Sequence, residues 1–182
     1  MINLGFLFPG QQAHEKVYLV TRAHWFIMAR RIGVWLVFVA ILFVLDDYVL
    51  IKYPMLLDSP YVEYINLFKT VYMMFLVAGL LSLWILYYLN YQIVTNERIV
   101  DVTQINLLHH TTSELHLSRI EDVTAEMHGL FGNLLGFGNV YVQTAGETRR
   151  FVFNDVPGPH AIEKLILDLY EKLPVQEKME HR

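Results

Sequence analysis

Four residues near the middle of the chain have the types and spacing of metal ligands: His109, His110, Glu114 and His116. On a β-strand His110, Glu114 and His116 would share one face, because alternate side chains point to the same side. Imidazole and carboxylate groups are common metal ligands, but the sequence shows none of the supporting side chains that usually orient them. It favours surface polar residues here, and we predict no metal and no cofactor.

A glycine-rich segment, residues 129–138, has the small residues of a phosphate-binding loop. Its spacing matches neither known glycine fingerprint, no Lys-Ser or Lys-Thr pair follows it, and it leads into a predicted strand rather than a helix. Large apolar side chains instead suggest a loop that packs on its own domain, dips into a membrane or docks on a partner. The residues of this candidate interaction loop are Leu130, Phe131, Leu134, Leu135 and Phe137.

Composition excludes several other kinds of chemistry. The chain of 182 residues has no cysteine, which rules out disulfides, thiolate metal sites and a cysteine nucleophile. Its net charge of −4 disfavours a nucleic-acid partner, which would require a basic surface. Neither a nucleophile with its base nor a pair of catalytic carboxylates stands out, so we predict no catalytic residues and no enzyme activity.

The elements that carry these residues fall into two unlike halves. Apolar residues make up 54% of the chain and charged ones 18%, against about 45–50% and 25% in soluble domains. Residues 72–89 are apolar without one charge, close to the roughly 20 residues that cross a ~30 Å hydrocarbon core. Tyrosine and tryptophan near the ends are typical of membrane interfaces. We predict a transmembrane helix here, with a buried helix of a soluble core as the alternative.

An earlier apolar run, residues 32–45, is shorter. It reaches transmembrane length if Arg30 and Arg31 extend along their aliphatic stems to one interface and Asp46 and Asp47 lie at the other. Deeper placement of the two aspartates would instead suggest an ion path. We predict a two-helix transmembrane hairpin over residues 25–91, with a connector of roughly 20 residues.

Charged residues predict the orientation of this hairpin, and small residues predict where its helices pack. The first 31 residues carry four Lys and Arg, whereas residues 46–69 carry two. The positive-inside rule then places both termini in the cytoplasm, which predicts a multi-pass protein of the cytoplasmic membrane with a cytoplasmic N-terminal segment, residues 1–24. In the second helix Ala78, Gly79 and Ser82 form a candidate helix-packing patch.

After residue 90 the sequence changes to short, β-branched or alternating runs. Six such runs lie at 91–95, 98–105, 114–117, 119–127, 139–144 and 149–154, a spacing typical of an antiparallel sandwich or barrel. From His160 apolar residues recur every three or four positions until Pro174, which predicts a C-terminal helix with one buried face. Residues 174–182 are a predicted flexible tail.

Three segments of this half resemble the bacterial pleckstrin-homology (PH) domain of the membrane-flanked type: YQIVTNERIV at 91–100, LSRIEDV at 117–123 and GFGNVYVQTAG at 136–146. The resemblance implies a PH-like domain over residues 91–173: a partly open barrel of seven strands, capped by one C-terminal helix and adjacent to transmembrane helices. Because the runs number six, we place the seventh strand inside residues 107–112.

These observations predict a non-enzymatic, membrane-anchored PH-like domain that mediates protein interaction or assembly at the cytoplasmic face of the membrane. Its partners would be the lipid bilayer and either another protein or a second copy of the chain. From residue 90 onward, eight Lys and Arg face thirteen acids, which disfavours phosphoinositide binding. The alternatives are a small subunit of a membrane transporter or channel complex, and a membrane-bound hydrolase or metal enzyme.

Overall fold

The computed structural model describes residues 11, 12, 14–58, 60–106, 108–144 and 151–174. These residues divide into two compact units. One is helical and holds residues 25–89 together with the described residues of 106–108, and the other is a β-unit that holds the remaining described residues. Most of the predicted tail, residues 175–182, lies outside the described residues.

The helical unit contains two long apolar helices, as predicted. Helix α1 (Trp25–Val44) continues into a π-helical segment (Leu45–Leu50), and helix α2 (Tyr61–Leu89) follows after a 3₁₀ turn (Pro54–Leu57). Both are long and apolar enough to cross a bilayer, by length and composition. The connector is shorter than the 20 residues that we predicted, because α2 begins directly after Pro60, a residue that favours helix starts.

Side chains at three levels join the two helices. The Trp35 indole N–H donates to the Leu76 carbonyl at 3.0 Å. The Tyr72 hydroxyl donates to the Phe38 carbonyl at 2.9 Å. Nearer the connector, Lys69 forms an ion pair with Asp46. These contacts set the antiparallel register of the two helices.

In the β-unit, the described residues form seven strands in two antiparallel sheets, ordered β1-β2-β3-β4 and β5-β6-β7. The strands are β1 (Val17–Thr21), β2 (Tyr91–Thr95), β3 (Arg98–Asn106), β4 (His109–His116), β5 (Ile120–Glu126), β6 (Phe137–Thr144) and β7 (Phe151–Pro157). A 3₁₀ turn (Leu117–Arg119) connects the two sheets between β4 and β5. The described strands form a sandwich of two separate sheets and no closed barrel; the resemblance implied a partly open one.

The seventh strand is β1, and our placement of it inside residues 107–112 was wrong. From His109 the chain already forms β4, which continues without a break to His116. Strand β1 comes from the segment that we predicted to precede the hairpin, and it pairs with β2, Val20 opposite Ile93. Periodicity reports on local conformation only, so a strand whose partner lies some 70 residues away is difficult to recognise.

The β-unit also contains a short helix, α3 (Gly129–Leu135), and the C-terminal helix, α4 (Pro159–Glu171). One apolar core joins both sheets to α4. Ile162, Ile166 and Leu169 of α4 are buried at the spacing that we predicted, which confirms this helix. They pack in the same cluster as Val140 and Phe153, which are fully buried. Left-handed backbone at Gly158 (φ 57°) and the following Pro159 begin the helix.

Candidate functional site

The glycine-rich segment is a short helix, α3 (Gly129–Leu135), and not the loop that we predicted. Gly129 and Gly136 have positive φ angles of 69° and 70°, which glycine adopts without steric cost. The Gly136 N–H donates to the Gly132 carbonyl at 2.9 Å and ends the helix as a left-handed C-cap. A glycine-rich composition is typical of loops, and here Gly129 and Gly136 lie at the ends of a short helix. Composition alone therefore did not reveal this helix.

Gly138 allows two strands to approach each other closely. A Cβ atom there would overlap the Glu126 carbonyl oxygen and lie 2.9 Å from the Met127 Cα. Any side chain would therefore push β6 away from β5. The close packing of β5 and β6 therefore explains the glycine at this position, without a role in phosphate binding.

Three of the five apolar residues that we predicted in this segment form one exposed surface. Leu130, Phe131 and Leu134 expose 78%, 56% and 75% of their surface, and we call them the α3 surface. Leu135 is half-buried, while Phe137 is buried in β6 and stacks on His24 with ring centroids 5.0 Å apart. Leu135 and Phe137 are therefore not part of the α3 surface.

The β-unit also contains a buried charge cluster that we did not predict. The Arg98 guanidinium donates from Nε and Nη2 to both carboxylate oxygens of Glu15, at 3.0 and 2.9 Å, and from Nη1 to Glu114 at 2.5 Å. The Glu15 side chain is completely buried. We call these three residues the Arg98 cluster.

The Arg98 cluster holds the start of β1 against the sheet. Hydrogen bonding to Glu15 raises the pKa of Arg98. Burial by itself raises the pKa of Glu15, but hydrogen bonds from Arg98 and the Gln12 N–H outweigh it, so this pKa lies below its ordinary value of 4.5. Two hydrogen bonds continue the attachment: the Lys16 N–H donates to the Asn96 side-chain Oδ1 at 2.6 Å, and the Asn96 N–H donates to the Lys16 carbonyl at 3.1 Å. Glu15 and Arg98 lie 83 residues apart, so no local motif could have revealed them.

Glu114, the one carboxylate among the four candidate metal ligands, belongs to the Arg98 cluster. Glu114 accepts a hydrogen bond from Arg98 Nη1 at 2.5 Å. Among the described residues, no group of three or more His, Cys, Asp or Glu side chains is placed to hold a metal ion.

In the helical unit, an open cleft of about 480 Å³ lies between α1 and α2. Gly79 and Ser82 of the predicted packing patch line this cleft, whereas Ala78 is exposed. A Cβ atom at Gly79 would lie 3.9 Å from the Trp35 indole nitrogen, and the Ser82 hydroxyl donates to the Ala78 carbonyl at 2.8 Å. Gly79 and Ser82 therefore form part of the α2 wall of this cleft, beside Trp35 of α1.

Together these features define a class: a two-sheet β-sandwich with a C-terminal helix, carried by a chain with two long apolar helices. A sequence model described as the bacterial PH domain matches residues 26–170. The chain belongs to the bacterial PH domain family, which confirms the predicted resemblance.

Among solved structures, a DUF1696 family protein with a pleckstrin-homology domain from Shewanella loihica is similar to the chain. The two share 15% sequence identity with a TM-score of 0.37, over 44% of this chain and 70% of that one. Comparison with curated proteins gave no match.

Proposed function

We propose that this protein is a membrane-anchored PH-like domain that mediates protein interaction at the cytoplasmic face of the membrane. The membrane-anchoring part of this proposal rests on the exposure of the two long helices. In their most apolar windows only 11% and 6% of the residues are buried, whereas a core helix of a soluble protein would be mostly buried. Such extended apolar surface is unfavourable in water and favourable in lipid.

The lengths and charges of the helices fit a bilayer. Residues 70–89 of α2 are uncharged and extend about 30 Å at 1.5 Å per residue, the thickness of a hydrocarbon core. The Lys69–Asp46 pair would then mark one interface, and the Arg30 and Arg31 side chains would extend along their aliphatic stems to the other. The positive-inside rule orients the arginine end, and with it the β-unit that follows α2 in the chain, toward the cytoplasm.

The α3 surface supports the interaction step. Three adjacent large apolar side chains on a short helix are the kind of exposed patch that proteins use to bind one another. The excess of acids from residue 90 onward disfavours contact with an anionic membrane. We therefore favour another protein or a second copy of this chain as the occupant of the α3 surface.

Two measurements test the anchoring step. The full chain should stay in the membrane pellet after alkaline carbonate extraction, and a reporter fused after Arg182 should be active only in the cytoplasm. Release by carbonate would contradict membrane insertion, and periplasmic activity would contradict the orientation.

Site-specific photocrosslinking tests the interaction step. A photoreactive residue at position 130 or 134 should form a protein adduct in native membranes, whereas one at position 167, a partly exposed leucine of α4, serves as the matched control. Leu130→Asp with Leu134→Asp should abolish an adduct formed from a probe at position 131. Equal adducts at positions 130 and 167, or adducts with lipid alone, would contradict the proposal.

A further inference from the structure

We propose that the cleft between α1 and α2 binds one anionic phospholipid. Its phosphate would lie between Arg30 and Arg31, and one of its acyl chains would lie in the apolar part of the cleft. This inference depends on the proposed membrane insertion of the hairpin and adds a specific lipid ligand to it.

The cleft combines a basic end with apolar walls. Arg30 and Arg31 lie near the start of α1, and Val34, Trp35 and Phe38 continue along the same helix. These positions recur at the three- and four-residue spacing of one helix face and extend over about 12 Å at 1.5 Å per residue. Opposite them, α2 contributes Gly79, Ser82, Leu83 and Leu86.

The polar groups in the walls already have partners. The Trp35 N–H donates to the Leu76 carbonyl, and the Ser82 hydroxyl donates to the Ala78 carbonyl. The walls therefore suit a hydrocarbon chain better than a polar solute. A volume of about 480 Å³ lies within the roughly 300–1,000 Å³ range of ligand pockets.

The two arginines give the cleft its preference for an anion. Both are exposed, and no acidic residue is among the described residues that line the cleft. Neither guanidinium forms an ion pair with any residue that the structure describes. Arginine binds phosphate through two parallel hydrogen bonds, and basic pockets between transmembrane helices on the cytoplasmic side suit anionic head groups.

Charge complementarity favours a lipid over a second copy of the chain. In a dimer that filled this cleft, a partner helix would have to bring an acid beside Arg30 and Arg31. The acids of the helical unit, Asp46, Asp47, Asp58 and Glu63, all lie near the connector, at the opposite end of α1 and α2. In an antiparallel pairing, a second hairpin could satisfy the arginines only by placing its connector on the cytoplasmic side.

Native mass spectrometry of the full chain tests this inference. The protein is reconstituted with equal amounts of phosphatidylglycerol and phosphatidylcholine and then released, and the bound lipid is identified. We expect one phosphatidylglycerol per chain, retained about tenfold over phosphatidylcholine, which corresponds to about 1.4 kcal/mol. Arg30→Gln with Arg31→Gln should remove the preference, and lysine at both positions should restore part of it, because the charge remains without the bidentate geometry.

Two further variants distinguish the effect of the arginine charges from the effect of the cleft volume. Lys52→Gln removes a cation near the connector and should leave the preference unchanged. Gly79→Leu should fill the cleft and abolish lipid retention while both arginines remain. Each variant must still resist carbonate extraction, so that a loss of lipid is not a loss of insertion.

Three outcomes would overturn the inference: equal retention of the two lipids by the wild type, an unchanged preference in the double glutamine variant, or dimers linked through cysteines at Phe38 and Ser82 without bound lipid. If the wild type itself is released by carbonate, the proposed function fails. If the chain is inserted but shows no lipid preference, this inference alone fails.

Discussion

The two units of this chain differ in how far their apolar side chains are buried. In the β-unit, Phe153 and its neighbours from both sheets and α4 are buried in one core. In the helical unit, Ile27 and Leu76 are the buried residues of α1 and α2, and side chains such as Phe75 are 72% exposed. Burial within the chain therefore stabilises the β-unit, whereas the stability of the helical unit depends on its surroundings.

The largest expected effect comes from truncating a phenylalanine in each unit. Phe153→Ala should lower the free energy of unfolding of the β-unit by about 3–5 kcal/mol, since it leaves a cavity in a packed core. Phe75→Ala should leave it unchanged. Hydrogen–deuterium exchange read by mass spectrometry reports each unit separately, and similar losses of protection in β6 for both variants would break the comparison.

The Arg98 cluster gives the next effect. Arg98→Met should destabilise the β-unit by about 3–4 kcal/mol, because Glu15 remains buried without its cation. The value lies at the low end for a buried pair since Glu114 is partly exposed. Arg119→Met, at an exposed position of the same unit, is the control for urea unfolding followed by circular dichroism. Equal midpoints would show that the cluster does not hold β1.

The same cluster makes β1 sensitive to acid. The folded pKa of Glu15 lies below its ordinary value, so ionised Glu15 stabilises the fold fully above about pH 4.5, and this contribution is lost as the pH falls through the folded pKa. Amide protection of β1 should fall in that range in the wild type. The fall should be smaller in Glu15→Gln, and identical profiles would contradict the assignment.

A charge in the apolar part of α2 tests the other side of the comparison. Val77→Asp should cost about 2.5–3.5 kcal/mol of insertion free energy at the helix centre, whereas Tyr64→Asp, near the connector, should cost much less. Carbonate extraction measures the inserted fraction. The β-unit should keep its exchange protection in both variants, and equal insertion would indicate that α2 does not cross the bilayer.

The smallest effect compares two glycines. Gly136→Ala should destabilise the β-unit by about 1–2 kcal/mol, because alanine is strained at a φ of 70°. Gly33→Ala in α1 meets no atom within 4 Å and should stabilise its helix by about 0.5–1 kcal/mol. Thermal unfolding of the two variants should therefore shift in opposite directions, and shifts of the same sign would contradict this account.

Much of the architecture could be predicted because its signals are local. The uncharged run of α2, the alternation of Val123, Ala125 and Met127 and the apolar stripe of α4 each show their period within a few residues. The family followed from three such segments. The α3 helix was missed because glycine is a poor guide to conformation, and two positive φ angles enclose a helix of only seven residues.

Two long apolar helices, a run of short antiparallel strands and a closing helix can be inferred from the amino-acid sequence alone, since hydrophobic period is a property of neighbouring residues. The folded structure was needed to show that Val17–Thr21 completes a sheet, that Arg98 lies between Glu15 and Glu114, and that Gly79 lines a cleft beside Trp35. Each of these depends on at least one partner some 40 to 80 residues away in the chain. Packing chooses such partners by shape and charge, which a local pattern does not encode.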